Sequence, residues 1–326
     1  MFTSSGGVTL LFVRVSRRSV LRAAGLAAVP AGAAGCTSSS LPVIDELVLA
    51  TGPDGAVFRE VGGALAAALA DELPSTRVVE RHTGASVENV RLLRSGEVHL
   101  GLSSLDPLVD GTVLSAEDPG GISAVGRLYD SFMQIAVPAG SPLRTLSDLA
   151  GRTVSFGPSE SGTEFTATRL LSLLGIDVDA RRMAHADAAE QLVTGELDAV
   201  LALTGIPTPA ITDTLRAFPL RLLDLPAEAE ALAEAYPGPY VPATIPATTY
   251  GDLGPCRTFA VPNLLLARTS LDADVVEVVT RTVFTQSARI AAGHPEASRI
   301  NVRTGIATGQ APLHQGAERW FRATKR

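Results

Sequence analysis

Two long apolar stretches, residues 128–137 and 258–268, interrupt a chain that otherwise alternates short strand-like runs with helical ones. Before the first stretch, strand candidates at 46–50, 77–81 and 98–102 are separated by helix candidates at 56–73 and 85–95. Between the two, strand candidates at 152–156, 197–203 and 220–223 alternate with helices at 162–174, 186–194, 207–217 and 227–235. A β-loop-α rhythm predicts parallel sheet with helices on both faces. Two such units crossed twice by the chain predict a two-lobed α/β protein, its ligand cleft where strand ends and helix N-termini meet. The expected lobes are residues 44–136 with 257–326, and residues 137–256. Residues 236–255, rich in Pro, Thr, Gly and Tyr, read as an irregular connection, 272–292 as one long amphipathic helix, and 312–320 as a loop running into a last helix.

The N-terminus reads as a targeting segment rather than as part of the fold. Ser16-Arg17-Arg18-Ser19-Val20-Leu21-Arg22 is a twin-arginine pattern, followed by a mild apolar run and by Ala33-Ala34-Gly35-Cys36. Residues 1–35 are thus expected to be a twin-arginine lipoprotein signal, with Cys36 the lipidated residue and 36–43 a Ser-rich tether. The expected location is extracytoplasmic, anchored to the cell membrane by lipid alone. Cys36 and Cys256 are the two cysteines, so with Cys36 lipidated no disulfide framework is expected, and Cys256 reads as a small buried residue. Without residues 1–35, which carry four arginines and no acid, 23 basic and 34 acidic residues remain, a net charge of −11. That sign argues against nucleic acid as a partner, because phosphate contacts need positive charge.

Chemistry-bearing residues gather at loops rather than in catalytic sets. The five histidines show no metal-ligand spacing, and no nucleophile–base set stands out, so neither cofactor, metal nor catalysis is expected. Residues 146–164 read as a strand followed by a small-residue loop that opens a helix at Gly162, where free N–H groups and the helix dipole favour a carboxylate. Ser161, Gly162 and Thr163 are candidate ligand contacts there; plain capping by Ser159 or Ser161, with Glu164 completing a capping box, is the alternative, and both can hold at once. Thr83, Ser86 and Asn89 open another helix, with Ser86 and Asn89 three apart on one face. Thr51, Gly52 and Gly55 form a strand-end loop whose glycines allow close approach. Ser104 and Asp106 follow the third strand, and Thr204 and Pro207 follow the strand at 197–203. Arg59, Arg81 and Arg127 lie near these loops, any of them able to clamp a carboxylate.

Five segments occur in order: Thr51-Gly52-Pro53-Asp54-Gly55, Thr83-Gly84-Ala85-Ser86-Val87-Glu88-Asn89, Ser161-Gly162-Thr163-Glu164, Gly195-Glu196-Leu197-Asp198-Ala199 and Pro312-Leu313-His314-Gln315-Gly316-Ala317-Glu318-Arg319. Together they resemble the TAXI family of solute receptors for TRAP transporters, from about residue 45 to the end. The resemblance implies a periplasmic-binding-protein fold of the second structural type and a monomeric receptor without enzymatic activity. It also implies capture of a small carboxylate (glutamate, 2-oxoglutarate or a related dicarboxylate) and delivery to TRAP membrane subunits. Pro53, Asp54 and Ala56-Val57-Phe58 replace the glycines and tyrosines usual in the first loop, and Ser104 stands where glutamine is usual. A receptor for an ABC importer or a sensory partner, or less readily an enzyme on the same two-lobed fold, is the alternative that fold alone leaves open.

Overall fold

The computed structural model describes residues 44–109 and 121–325; the expected signal at 1–35, Cys36 and the tether at 36–43 lie outside them. The chain enters through β1 (Glu46–Ala50), α1 (Val57–Glu72), β2 (Arg77–Arg81), α2 (Ser86–Ser95), β3 (Leu100–Ser104) and the short α3 (Asp106–Val109). The first crossing, β4, spans Ile122–Pro138. Then come β5 (Thr153–Ser155), α4 (Gly162–Leu174), β6 (Asp179–Arg181), α5 (His185–Thr194), β7 (Ala199–Thr204), α6 (Pro209–Leu215), β8 (Leu220–Leu222), α7 (Pro226–Ala235) and β9 (Val241–Ile245). The second crossing, β10, spans Cys256–Arg268. It leads to α8 (Ala273–Thr285), α9 (Ser287–Ile290), α10 (Val302–Gly305) and α11 (Gln315–Thr324).

The strand order is β2-β1-β3-β10-β4-β7-β5-β6, with β8 on β4 and β9 on β10. The pairs β1–β2, β1–β3, β5–β6 and β5–β7 are parallel, whereas every pair involving β4 or β10 is antiparallel. The two long strands serve both halves. The C-terminal part of β10 pairs with β3 and with the start of β4, whereas the end of β4 pairs with β7 and β8 and the start of β10 with β9. The β4–β10 register slips between Pro262 and Leu264, where proline has no N–H for a ladder. At that slip Asn263 Nδ2 donates to Ser131 Oγ at 2.9 Å.

Alternation along β1 explains why the sheet is covered on both faces. Leu47 and Leu49 enter one apolar cluster with α1 and α8, whereas Val48 and Ala50 enter another with α2. The fold is the expected mixed α/β type, two-lobed, with departures at the edges. Both crossings start earlier than their apolar runs, β4 through the small buried residues Ser123 and Ala124. The connection expected at 236–255 contains β9; as an edge strand it tolerates Pro242, paired with Phe259 of β10. The helix expected over 272–292 breaks at Gln286 (φ −111°, ψ 22°), whose Nε2 donates to Glu72 Oε1 at 2.7 Å and turns the chain around the end of α1. Cys256 is buried, its Sγ donating to the Leu223 carbonyl at 3.3 Å, and burial pushes its thiol up to about 12. No helix among the described residues is long and apolar enough to cross a membrane.

Candidate functional site

Parallel strands deliver every following helix from the same sheet edge, so helix N-termini gather where the chain leaves the strands. Here the starts of α1, α2, α4 and α5 meet at one cavity of about 20 Å³, room for about one water, lined by Ala56, Ala85, Ser86, Ser161, Gly162, Thr163 and His185 among others. The N-caps of α1, α2 and α5 are alanines that cap through no side chain of their own; Thr204 takes the first N–H of α1, and the Glu88 carboxylate that of Gly84 at the start of α2.

Hydroxyls complete the wall: Ser86, Ser104, Ser131, Ser161, Thr163 and Thr204. Four of them act as acceptors. Ser86 Oγ accepts from the N–H and the hydroxyl of Ser104 (3.0 and 3.1 Å), and Ser161 Oγ from the N–H of Glu164 (3.0 Å). Thr163 Oγ1 accepts from the N–H of Leu203 (3.0 Å), and Thr204 Oγ1 from that of Val57 (3.2 Å). Held through their lone pairs, these oxygens keep their protons for donation into the cavity. None of the described residues lining it carries a formal charge. His185 is 3% exposed, its Nδ1 has no partner, and burial lowers its pKa to about 4, so the imidazole is neutral at physiological pH.

Of the residues expected at the site, Ser86, Ser104, Ser161, Gly162, Thr163 and Thr204 come together on this wall. The others stand elsewhere. Asn89 Nδ2 donates to the Thr51 and Leu102 carbonyls (both 2.8 Å) and its Oδ1 accepts from Thr83 (2.6 Å). Thr51 Oγ1 donates to Glu80 Oε1 at 3.0 Å. These side chains tie the ends of β1 and β3 behind the wall. Gly52 packs on Phe58, and Gly55, at φ 78°, lies against Ala186 and Ala210. Asp106 is wholly buried, accepting from Thr166 and from Tyr240 at 3.0 Å, and desolvation raises its pKa. Pro207 turns its carbonyl to His294 Nε2 at 2.9 Å. Asp54 is 69% exposed and pairs with Arg59 at 3.1 Å; Arg81 pairs with Glu97 and Arg127 with Asp130, so all three expected arginine clamps are engaged outside the cavity. The capping box at α4 is offset: Ser161 caps Glu164, but the Glu164 carboxylate accepts from the N–H of Glu160 at 2.8 Å.

Pro53, Phe58, Ala85, Ser131, His185, Leu203 and Asn263 also line the cavity and were not among the ligand contacts expected from the sequence. A signal existed for two of them, since Ser131 and Asn263 are polar residues inside the two long apolar runs.

The walls of the cleft touch. Glu88 N–H donates to the Glu160 carbonyl at 2.9 Å, Ala210 N–H to that of Gly55 at 3.3 Å, and Arg91 pairs with Glu160 at 3.0 Å. Any solute larger than water therefore requires the walls to separate. Ala85, at the mouth of α2, has φ 102° and ψ −133°, a conformation that strains any residue with a Cβ. Ala85→Gly is expected to raise unfolding stability by about 1 kcal/mol, measured by urea denaturation. An unchanged midpoint would mean that the backbone relaxes at no cost.

The model of the NMT1-like family matches residues 49–323. Among solved structures, the periplasmic binding protein BugD aligns with a TM-score of 0.50 at 12% identity, covering 87% of this chain and 98% of its own, which places this chain in the same fold. The alkanesulfonate-binding protein SsuA from Xanthomonas axonopodis pv. citri, bound to MOPS, aligns at 0.49 and 16% identity over 87% and 92% of the two chains. The aliphatic sulphonate binding protein SsuA from Escherichia coli aligns at 0.42 and 17% identity over 78% and 80%.

Proposed function

We propose, for a chain that belongs to the NMT1-like family, the role of a solute-binding receptor that closes on a small carboxylate and hands it to a membrane transporter. The observation that carries this reading is the cavity itself: four helix N-termini and a ring of hydroxyls with protons to donate, and no charged side chain among its described residues. Such a surface stabilises an anion by oriented dipoles and hydrogen bonds rather than by an ion pair. The ligand contacts we assign are Ser86, Ser104, Ser161, Gly162, Thr163 and Thr204.

The lobes are taken as residues 44–136 with 257–326, and residues 137–256. Closure turns about the β4–β10 slip at Ser131 and Asn263, where the ladder is already interrupted. The ligand favours the closed state because it satisfies donors from both walls at once. The resemblance to the TAXI family supports a TRAP transporter as the partner and puts glutamate, 2-oxoglutarate and related dicarboxylates on the first ligand panel. The receptor is taken to work as a monomer, exported by its twin-arginine signal and held at the membrane by lipid on Cys36.

Thermal unfolding of the full chain with a panel of carboxylates, neutral amino acids and sugars tests the reading. A ligand at about 100 times its dissociation constant adds about 2.7 kcal/mol of stability. A selective rise with carboxylates is the expected result. A selective rise with sugars or neutral solutes would overturn the anion reading.

A further inference from the structure

Asn263 and Ser131 line the cavity where β10 and β4 cross, and both are buried. Asn263 stands at the register slip with its side chain turned to Ser131: Nδ2 donates to Ser131 Oγ at 2.9 Å, and Oδ1 accepts from that hydroxyl at 3.1 Å. A primary amide carries two N–H donors and two carbonyl lone pairs. Ser131 takes one of each, and no other hydrogen bond reaches the amide among the described residues. One N–H and one lone pair, at opposite ends of the amide, therefore stay unspent in a buried position, where polar groups normally have partners. In the β10–β3 ladder Asn263 lies directly opposite Ser104, which also lines the cavity. Opposed residues of an antiparallel pair project from the same face with Cβ atoms about 5 Å apart. The amide thus stands beside the Ser104 hydroxyl, where the atom next to a bound carboxylate falls.

We propose that Asn263 is the specificity-determining residue of the site and selects an acid with a hydroxyl or oxo oxygen beside its carboxylate. This deepens the receptor reading and rests on it. The carboxylate lies against the hydroxyls and helix N-termini, and the oxygen on the adjacent carbon meets the amide. A 2-hydroxyl pairs with either end of the amide, and a 2-oxo oxygen accepts from its N–H. Turning the amide over presents either end and keeps a bond to Ser131, whose hydroxyl can donate or accept. An acid with only hydrogen at that carbon leaves the buried amide without a partner. A 2-amino acid brings an ammonium group. No described residue lining the cavity carries a carboxylate to pair with it, and the helix N-termini repel it.

The test is calorimetric titration of the full chain with two series that differ only at the carbon beside the carboxylate. One is propanoate, 2-hydroxypropanoate, 2-oxopropanoate and alanine; the other is glutarate, 2-hydroxyglutarate, 2-oxoglutarate and glutamate. In whichever series binds, the hydroxy and oxo acids are expected to bind at least about tenfold more tightly than the unsubstituted acid. The amino acid is expected to be at least about tenfold weaker than the unsubstituted one. Asn263→Asp keeps the shape but offers only acceptors when ionised, so it is expected to favour the amino acid over the oxo acid. An unsubstituted or amino acid binding the unmodified chain as tightly as the hydroxy and oxo acids would overturn the inference and leave the receptor reading intact. An equal loss for all members in N263D would do the same, by making Asn263 a structural residue. Binding of no acid from either series would remove the carboxylate reading and the inference together.

Discussion

A valine in place of Gly162 is expected to weaken solute binding by at least about 100-fold, equivalent to about 2.7 kcal/mol, while both halves of the protein remain folded. A Cβ built on Gly162 lies 2.7 Å from Ser86 Oγ and 2.9 Å from Ser104 Oγ, closer than side-chain carbons approach such atoms. Those serines belong to the opposite wall and are hydrogen-bonded to each other at 3.1 Å, so neither can step aside cheaply. Gly162 opens α4 without a left-handed backbone, and the substitution therefore acts on closure rather than on the helix. Gly84 offers the same test from the other wall, since its Cβ would meet the Ser159 carbonyl oxygen at 2.5 Å. Titration with whichever acid stabilises the unmodified chain gives the affinity. Small-angle scattering is expected to show the variant more extended, with or without ligand. Unchanged affinity in G162V would mean that the solute binds elsewhere.

The second large effect concerns pH. Glu296 is buried in the turn Pro295–Arg299, with Oε1 accepting from Arg299 Nε at 3.1 Å and Oε2 without a partner. Burial raises its pKa from 4.5 to about 7 against the pull of Arg299, and Asp130 adds to the rise. Between those two values the folded protein holds a proton that the unfolded chain has released. This group's contribution to stability therefore falls as pH rises from about 4.5 to about 7 and levels off above, by about 3 kcal/mol in all. Glu296→Gln, which keeps the shape and stays neutral, is expected to remove that slope. Urea midpoints of both proteins at pH 5 and pH 8 isolate it, because the other titrating groups cancel in the difference. Parallel pH profiles would mean that Glu296 ionises normally in the folded state.

The order of elements was legible because its signals are local. Apolar runs of strand length, alanine-rich helical spacing, and glycine or serine at helix starts each depend on a few neighbouring residues. The strand at 77–81 and the helix at 162–174 were read to the residue for that reason. The breaks at Gln286 and at β9 were not, since one follows from packing against α1 and the other from pairing with a strand lying later in the chain.

The candidate site divides along the same line. That hydroxyl-bearing loops open several helices is a local pattern, legible in the chain, and the parallel topology then brings those loops to one edge. Which side chains face the cavity follows from long-range packing alone. Asn89 and Thr83 stand beside Ser86 in sequence, yet they turn back to hold strand ends. Ser131 and Asn263, 132 residues apart, meet at the crossing of two strands. His185, at the start of α5, meets the starts of α1, α2 and α4 at the cavity, elements that lie far apart in the chain. The direction of a side chain beyond a strand end depends on loop dihedrals and on what packs opposite. Both are set by contacts distant in the chain, and no local pattern encodes them.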